Sequence, residues 1–178
     1  CKSMEKILDK LFHYRIAPGA VVSQARQLYV IDGPFGAAQC PDERNWTRII
    51  ELLCGPGLPF QLSAVTLDAI HIARVHLFLE QLLQNGLLYY SIGTGPNRSI
   101  AVIPKVPGFR LKRIAPTPFF QLHPSAYLRA TQSGVWTLDG AHMLARFEGE
   151  QLIEALQVLH AGRSEAMDIS PWICALGG

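Results

Sequence analysis

The chain repeats one pattern of residues, and this repeat limits the folds it can adopt more than any other feature does. The segment Gln27–Gly33 (QLYVIDG) is matched by Gly134–Gly140 (GVWTLDG), which begins 107 positions later. Two more pairs of segments match on either side: Leu11–Tyr14 with Phe119–Leu122, and Ile49–Leu53 with Leu152–Leu156. An internal repeat of this kind predicts two modules of the same type.

Composition places the chain among globular proteins. Of its 178 residues, 49% are hydrophobic and 17% are charged, and no apolar run reaches the ~20 residues that a membrane span requires. The net charge of +2 does not demand a polyanionic partner. The four cysteines show no framework of spacings, so we expect reduced thiols and a cytoplasmic protein.

The patterns of apolar residues predict an α+β fold made of two winged-helix-like modules, each a three-stranded antiparallel sheet with three helices. The first module is predicted over residues 1–104, a Pro-rich basic linker over 105–118, and an incomplete second module over 119–178. Strands and helices are predicted over these ranges: Leu11–Ile16, Gln27–Asp32, Gly36–Cys40, Trp46–Cys54 (helix), Ser63–Asp68 (helix), Ile70–Asn85 (helix), Leu87–Ile92, Ser99–Ile103, Tyr127–Thr131, Gly134–Leu138, His142–Phe147 and Glu150–His160 (helix).

The long helix predicted over Ile70–Asn85 carries two apolar faces. One broad stripe is expected to pack on the core of its own module. On the opposite side lie Ile70, Ala73 and Leu77, bordered by Arg74. A small module cannot easily bury both faces of its last helix. The outer face is therefore predicted to meet a ligand, the second module or another chain.

Three interpretations of that face compete. An extended peptide would add to the edge of the strand Gly36–Cys40 and lie against the helix. Its predicted contacts are Phe35, Ala37, Gln39, Ile70, Arg74, Leu77 and Gln81. A nucleic acid would require base-reading and phosphate-binding residues on the helix, where Arg74 is the only such cation, with Lys105–Arg113 as a second basic segment. Nucleic acid is therefore disfavoured. A structural role in dimerisation or in packing between the modules is the third interpretation.

Three segments, Leu28–Asp32, Ile49–Gly55 and Phe78–Leu88, resemble the leader-peptide recognition fold of ribosomal peptide modification. A tandem of such modules is similar to the N-terminal part of azoline oxidases, the FMN-dependent dehydrogenases that oxidise thiazoline and oxazoline rings in peptides. The resemblance implies a precursor peptide as partner and a nitroreductase-like flavin domain beyond Gly178. That domain would bind FMN and form a homodimer.

No pattern of catalytic residues occurs in the sequence itself. Gly93-Thr-Gly95 lacks the following helix that a dinucleotide-binding loop requires, and no Gly-x-Ser-x-Gly motif occurs. His71 and His76 are five residues apart, so they do not share the helix face of a zinc-binding pair. We therefore predict no catalytic, cofactor-binding or metal-binding residue in this chain, and assign any enzymatic activity to the parent protein.

Overall fold

The computed structural model of the chain describes residues 12–62, 65, 68–93, 99–110, 119–120, 126–132, 134–149 and 164–165. Within these ranges the helices are α1 (Arg44–Cys54) and α2 (Ala69–Gln84). The strands are β1 (Phe12–Ile16), β2 (Val21–Ala25), β3 (Leu28–Gly33), β4 (Gly36–Pro41), β5 (Leu58–Pro59), β6 (Leu88–Gly93), β7 (Ser99–Pro104), β8 (Phe119–Phe120), β9 (Tyr127–Gln132), β10 (Val135–Asp139), β11 (Met143–Glu148) and β12 (Ser164–Glu165).

The described part of the chain is mostly β-structure. A seven-stranded antiparallel sheet has the order β5-β1-β6-β7-β11-β10-β9, a three-stranded sheet has the order β2-β3-β4, and β8 pairs with β12. The predicted fold class, two winged-helix-like modules of three strands and three helices, is therefore wrong. The predicted closing hairpin does not stand apart as a wing, because β6 pairs with β1 and β7 pairs with β11.

Two of the predicted helices cannot be compared with the structure. The short helix over Ser63–Asp68 falls largely outside the described residues, and the helix over Glu150–His160 falls wholly outside them. The seven-stranded sheet itself continues across the boundary that the sequence predicted at residue 104. Immediately after residue 104 the chain contacts segments on both sides of the predicted boundary. The backbone N–H of Lys105 donates to the carbonyl of His142 at 2.8 Å, and that of Gly108 donates to the carbonyl of Leu83 at 2.9 Å.

The internal repeat appears in the structure as two matching three-stranded meanders, β2-β3-β4 and β9-β10-β11. Ala25 pairs with Leu28 across the first turn of one meander, and Gln132 pairs with Val135 across the first turn of the other. Both pairs are related by the same offset of 107 residues, and both leave a two-residue turn. The first hairpins of the two meanders therefore have the same register at the turn.

The second hairpins match in the same way. Gly33 pairs with Gly36 in the first meander. In the second, the backbone N–H of Gly140 donates to the carbonyl of Met143 at 2.9 Å. The offset is again 107 residues, so β4 and β11 are equivalent strands of the repeat.

The turn between β2 and β3 provides a prediction about stability. Arg26 and Gln27 both have positive φ, 51° and 62°, whereas the second meander has Gly134 at φ 73° in the position equivalent to Gln27. Because a side chain in this region costs about 1–2 kcal/mol, we expect Gln27→Gly to raise the free energy of unfolding by ~1 kcal/mol. Urea denaturation measures the change.

Gly134→Gln is the matched reverse substitution. Apart from its chain neighbours, no described residue has a heavy atom within 4 Å of a Cβ built at Gly134, so the effect of the substitution isolates the cost of the backbone conformation. A drop in the free energy of unfolding similar in size to the gain from Gln27→Gly is expected. Unchanged denaturation midpoints in both variants would contradict this explanation.

The core lies between the helices and the sheets. α1 buries Trp46, Ile49, Ile50 and Leu53, the apolar residues whose spacing predicted the helix. α2 buries one broad stripe: Val75, Phe78, Leu79, Leu82 and Leu83. No helix in the described ranges has the length and hydropathy needed to cross a membrane.

Candidate strand-addition site

The outer edge of β4 is open in the described part of the chain. β4 pairs with β3 on one side, and no described strand lies on the other. Its equivalent, β11, pairs with β10 on one side and with β7 on the other. The same position in the repeat is therefore filled in the second meander and unfilled in the first.

The backbone of β4 presents hydrogen-bonding groups to this open edge. Gly33 and Gly36 flank a two-residue turn and form the first pair of the hairpin. In an antiparallel pair the direction of the N–H and C=O groups then alternates along the strand. Ala37, Gln39 and Pro41 consequently direct their backbone groups away from β3. Pro41 has no N–H, so Gln39 offers the most accessible donor and acceptor pair.

The end of α2 is joined to this edge through Asn85. Its side-chain amide donates to the carbonyl of Ala37 at 3.4 Å and to the carbonyl of Gln81 at 3.0 Å. The close approach requires glycine in the turn, because a Cβ on Gly36 would overlap the Asn85 side-chain oxygen. Gly36 also has φ +149°, which disfavours a side chain.

A second contact sets the direction of α2 relative to β4. Asn45, at the start of α1, lies four residues beyond the end of β4, and its side-chain nitrogen is 3.2 Å from Nε2 of His71. β4 therefore starts near the C-terminal end of α2 and leads toward its N-terminal end. Counting from the contact between Ala37 and Asn85, at ~3.4 Å per strand residue and ~1.5 Å per helical residue, puts Gln39 about level with Gln81.

An exposed stripe on α2 borders the open edge. Ile70, Arg74, Leu77 and Gln81 are all exposed, and the two apolar members each have 69% of their surface accessible. At about 100° per residue, Arg74 and Gln81 lie within ~40° of Asn85 around the helix. Hence the flank of α2 that carries Asn85 beside β4 also carries Arg74 and Gln81, and Leu77 lies next to these two residues.

Buried aromatic residues lie beneath this stripe. Trp46 of α1 and Phe78 of α2 form an edge-to-face pair with ring centroids 5.3 Å apart. Phe78 and Leu77 are adjacent in sequence and about 100° apart around α2, with Phe78 buried and Leu77 exposed. Nε1 of Trp46 is buried and has no hydrogen-bond partner among the described residues. Because the aromatic pair lies where α1 meets α2, it fixes the helix whose outer face borders β4.

The inner face of β4 has small side chains. Ala38 is 6% exposed and Cys40 is 2% exposed. Burial, followed by the charge of Asp42, raises the pKa of the Cys40 thiol to about 12. The thiol is therefore protonated at neutral pH and has none of the thiolate character of a reactive cysteine.

The predicted contact residues fall into three groups. The four on α2 form the exposed stripe. Phe35 is 55% exposed and lies at the C-terminal end of α2, where a Cβ on Gly86 would be 3.1 Å from its ring. Ala37 and Gln39 direct their backbone toward the edge, but their side chains lie on the outer face of the sheet, because Ala38 and Cys40 are the buried ones.

Sequence reasoning did not identify Ala38, Cys40 or Asn85 as part of this site. Alternation along β4 indicates that one set of side chains faces inward, but it does not show on which face the helix packs. Asn85 was identified only as the last residue of the predicted helix. Its place directly before Gly86, which has φ +64° and ends the helix, marks it as a residue at a helix terminus.

The charges expected to support nucleic-acid binding are partly neutralised. Lys105 forms an ion pair with Asp139, and Arg110 pairs with Glu80 at 2.6 Å. Lys112 and Arg113, the other two cations of the segment Lys105–Arg113, lie outside the described residues. The basic segment therefore presents fewer free charges than its composition suggests.

The histidine at the start of α2 has a structural partner. Asp68 caps the helix by accepting the backbone N–H of His71 at 2.8 Å, and its other oxygen lies 2.8 Å from Nδ1 of the same residue. The backbone hydrogen bond from His71, followed by the side-chain one, lowers the pKa of Asp68. Within the described ranges no group of three or more His, Cys, Asp or Glu side chains is placed to hold a metal ion.

Comparison with known proteins does not place the chain in a family. No protein-family model matches the sequence, and no curated protein matches it either. Support for a function therefore comes from the geometry at β4 and α2 together with the residues that prompted the resemblance.

Proposed function

We propose that this chain binds an extended peptide by adding it as a strand to the open edge of β4. The observation that carries the proposal is the contrast between the two meanders. The edge of β11 is occupied by β7, and the equivalent edge of β4 has no partner strand among the described residues. Beside that edge lies a helix with two exposed apolar residues, Ile70 and Leu77. Backbone pairing and an adjacent apolar surface are the two parts of peptide recognition by strand addition.

The peptide that we propose as the partner is the leader of a precursor peptide. In this proposal the chain is the recognition portion of an azoline oxidase, and the FMN and catalytic residues belong to a domain outside the present sequence. Support comes from the three resembling segments and from the location of two of them. Leu28–Asp32 lies in β3, next to the open edge, and Phe78–Leu88 covers the end of α2 that carries Asn85.

The strength of such binding can be bounded from the groups available. A bound strand would form two backbone hydrogen bonds with Gln39, each contributing about 0.5–1.5 kcal/mol. Covering a side chain such as Leu77 contributes on the order of 1–3 kcal/mol. These terms total about 2–6 kcal/mol before the cost of ordering the peptide, so these contacts alone give dissociation constants no tighter than tens of micromolar.

Selection from a phage-displayed library of random 12-residue peptides tests the proposal. The selected peptides are synthesised with fluorescein and titrated against the chain by fluorescence anisotropy. We expect Leu77→Asp to weaken binding by roughly tenfold or more, because it places a charge on the apolar stripe. Arg74→Glu is expected to change affinity by a smaller factor, since exposed ion pairs contribute little.

Val21→Asp is the matched control, because Val21 is 66% exposed but lies on β2, at the other edge of the three-stranded sheet. It should leave binding unchanged. Failure to select any peptide, or equal binding by the Leu77→Asp and Val21→Asp variants, would overturn the proposal. Retention on DNA that falls steeply with salt would instead support a nucleic-acid binder, and a dimer that Leu77→Asp dissociates would support a structural interface.

A further inference from the structure

The second meander shows how a strand pairs with the outer edge of the third strand of the repeat, which is β11 in that meander. β7 lies antiparallel to β11, with Ile100 opposite Phe147 and Val102 opposite Ala145. Ile100 and Val102 are completely buried, and their two partners are 2% and 0% exposed. Ala101, between them, is only partly buried. The strand on this edge therefore contributes every second side chain to the core.

The offset of 107 residues shows which residues of β4 correspond to those of β11. Phe147 corresponds to Cys40 and Ala145 to Ala38, and all four are buried side chains on equivalent strands. A segment that occupied β4 as β7 occupies β11 would place alternate side chains beside Cys40 and Ala38. Cys40 is much smaller than Phe147, so a ligand side chain at the neighbouring position would pack against a smaller residue than Ile100 does.

From this correspondence we infer the direction of the bound peptide and the spacing of its apolar side chains. The inference rests on the proposed function. The peptide runs antiparallel to β4 and carries one apolar side chain opposite Cys40 and a second, two residues nearer its C-terminus, opposite Ala38. The residue between them lies opposite Gln39, on the outer face, and is free to be polar. Each chain binds one such segment, because β7 already fills the equivalent edge of β11.

Serine scanning of a selected peptide tests the pattern. Serine at either apolar position is expected to weaken binding by roughly tenfold or more, because it removes an apolar side chain that the inference places beside Cys40 or Ala38. Serine at the position between them should change affinity by less than about threefold, since that side chain stays in solvent. Isothermal titration is expected to give one peptide per chain. Loss of affinity without a two-residue period, or two peptides per chain, would overturn the inference.

Disulfide trapping tests the direction. In a background in which Cys1, Cys54 and Cys174 are replaced by serine, the buried Cys40 is the one native thiol that remains. Cysteine is introduced singly as Gln39→Cys or Ala37→Cys, and a second cysteine is moved along the peptide. Directly opposite residues in a hydrogen-bonded antiparallel pair have Cα atoms ~5.5 Å apart, within the range of a disulfide. Gln39→Cys should trap the position between the apolar anchors, and Ala37→Cys the position two residues nearer the peptide C-terminus.

The two proposals fail in different ways. If Ala37→Cys traps a position nearer the peptide N-terminus, the segment is parallel to β4 and the inferred direction is wrong, although peptide binding itself stands. If selection yields no peptide whose binding depends on Leu77, the proposed function fails and the inference fails with it.

Discussion

Gln39→Pro is expected to abolish detectable strand addition at β4 while leaving the chain folded. The N–H of Gln39 points away from β3, so proline removes no hydrogen bond of the native hairpin. It does remove the donor that a bound strand requires, and its ring occupies the open edge. Pro41 already occupies an equivalent outward position two residues further along β4. Peptide affinity should fall by roughly 10- to 100-fold.

Gln39→Ala is the matched control, because it keeps the backbone N–H and changes only a side chain that faces solvent. We expect anisotropy titrations to give nearly the same dissociation constant for Gln39→Ala as for the native chain. Thermal unfolding of both variants checks that the fold persists. Native-like binding by a folded Gln39→Pro variant would mean that the peptide does not pair with β4.

Phe78→Ala is expected to produce the largest loss of stability that we predict. Phe78 is 4% exposed and packs edge-to-face against Trp46 with centroids 5.3 Å apart. Truncating a buried phenylalanine costs about 3–5 kcal/mol, from the lost apolar contacts and the cavity that remains. Urea denaturation measures the loss, and the Trp46 emission should change because its aromatic partner is absent.

The neighbouring residue is an internal control for this prediction. Leu77→Ala removes an apolar side chain of similar hydrophobicity from the exposed face of the same helix, where 69% of it is accessible. The free energy of unfolding should change by no more than about 0.5 kcal/mol, while peptide binding weakens. A large loss of stability in Leu77→Ala would show that the stripe is covered in the folded chain.

Local patterns in the sequence were sufficient to predict most of the helices and strands. The apolar spacing of Trp46, Ile49 and Leu53 predicted α1. The alternation in Leu11–Ile16 predicted β1, and the richness of Gln27–Asp32 in β-forming residues predicted β3. β2 was missed because Val21–Ala25 has almost no buried side chains and so shows no alternation. β5 has only two residues, too few to form a pattern.

The assembly of the strands could not be predicted in the same way. Pairing of β7 with β11 brings Ala101 next to Arg146, which are far apart in sequence, and no local signal marks that contact. The same limit applies to the site. Helical periodicity showed that Ile70 and Leu77 share the outer face of α2, but the inward orientation of Ala38 and Cys40 depends on where α1 and α2 pack.

The position of β7 between β6 and β11 also has a consequence for synthesis. The ribosome completes β7 at Pro104, but β11 is finished only at Glu148. At ~5–20 residues per second, the nascent chain carries β7 without its second neighbour for several seconds. During that interval its edge is open to any other extended segment. Slow translation between these strands would therefore favour chain–chain aggregation, and a chaperone that shields β7 would suppress it.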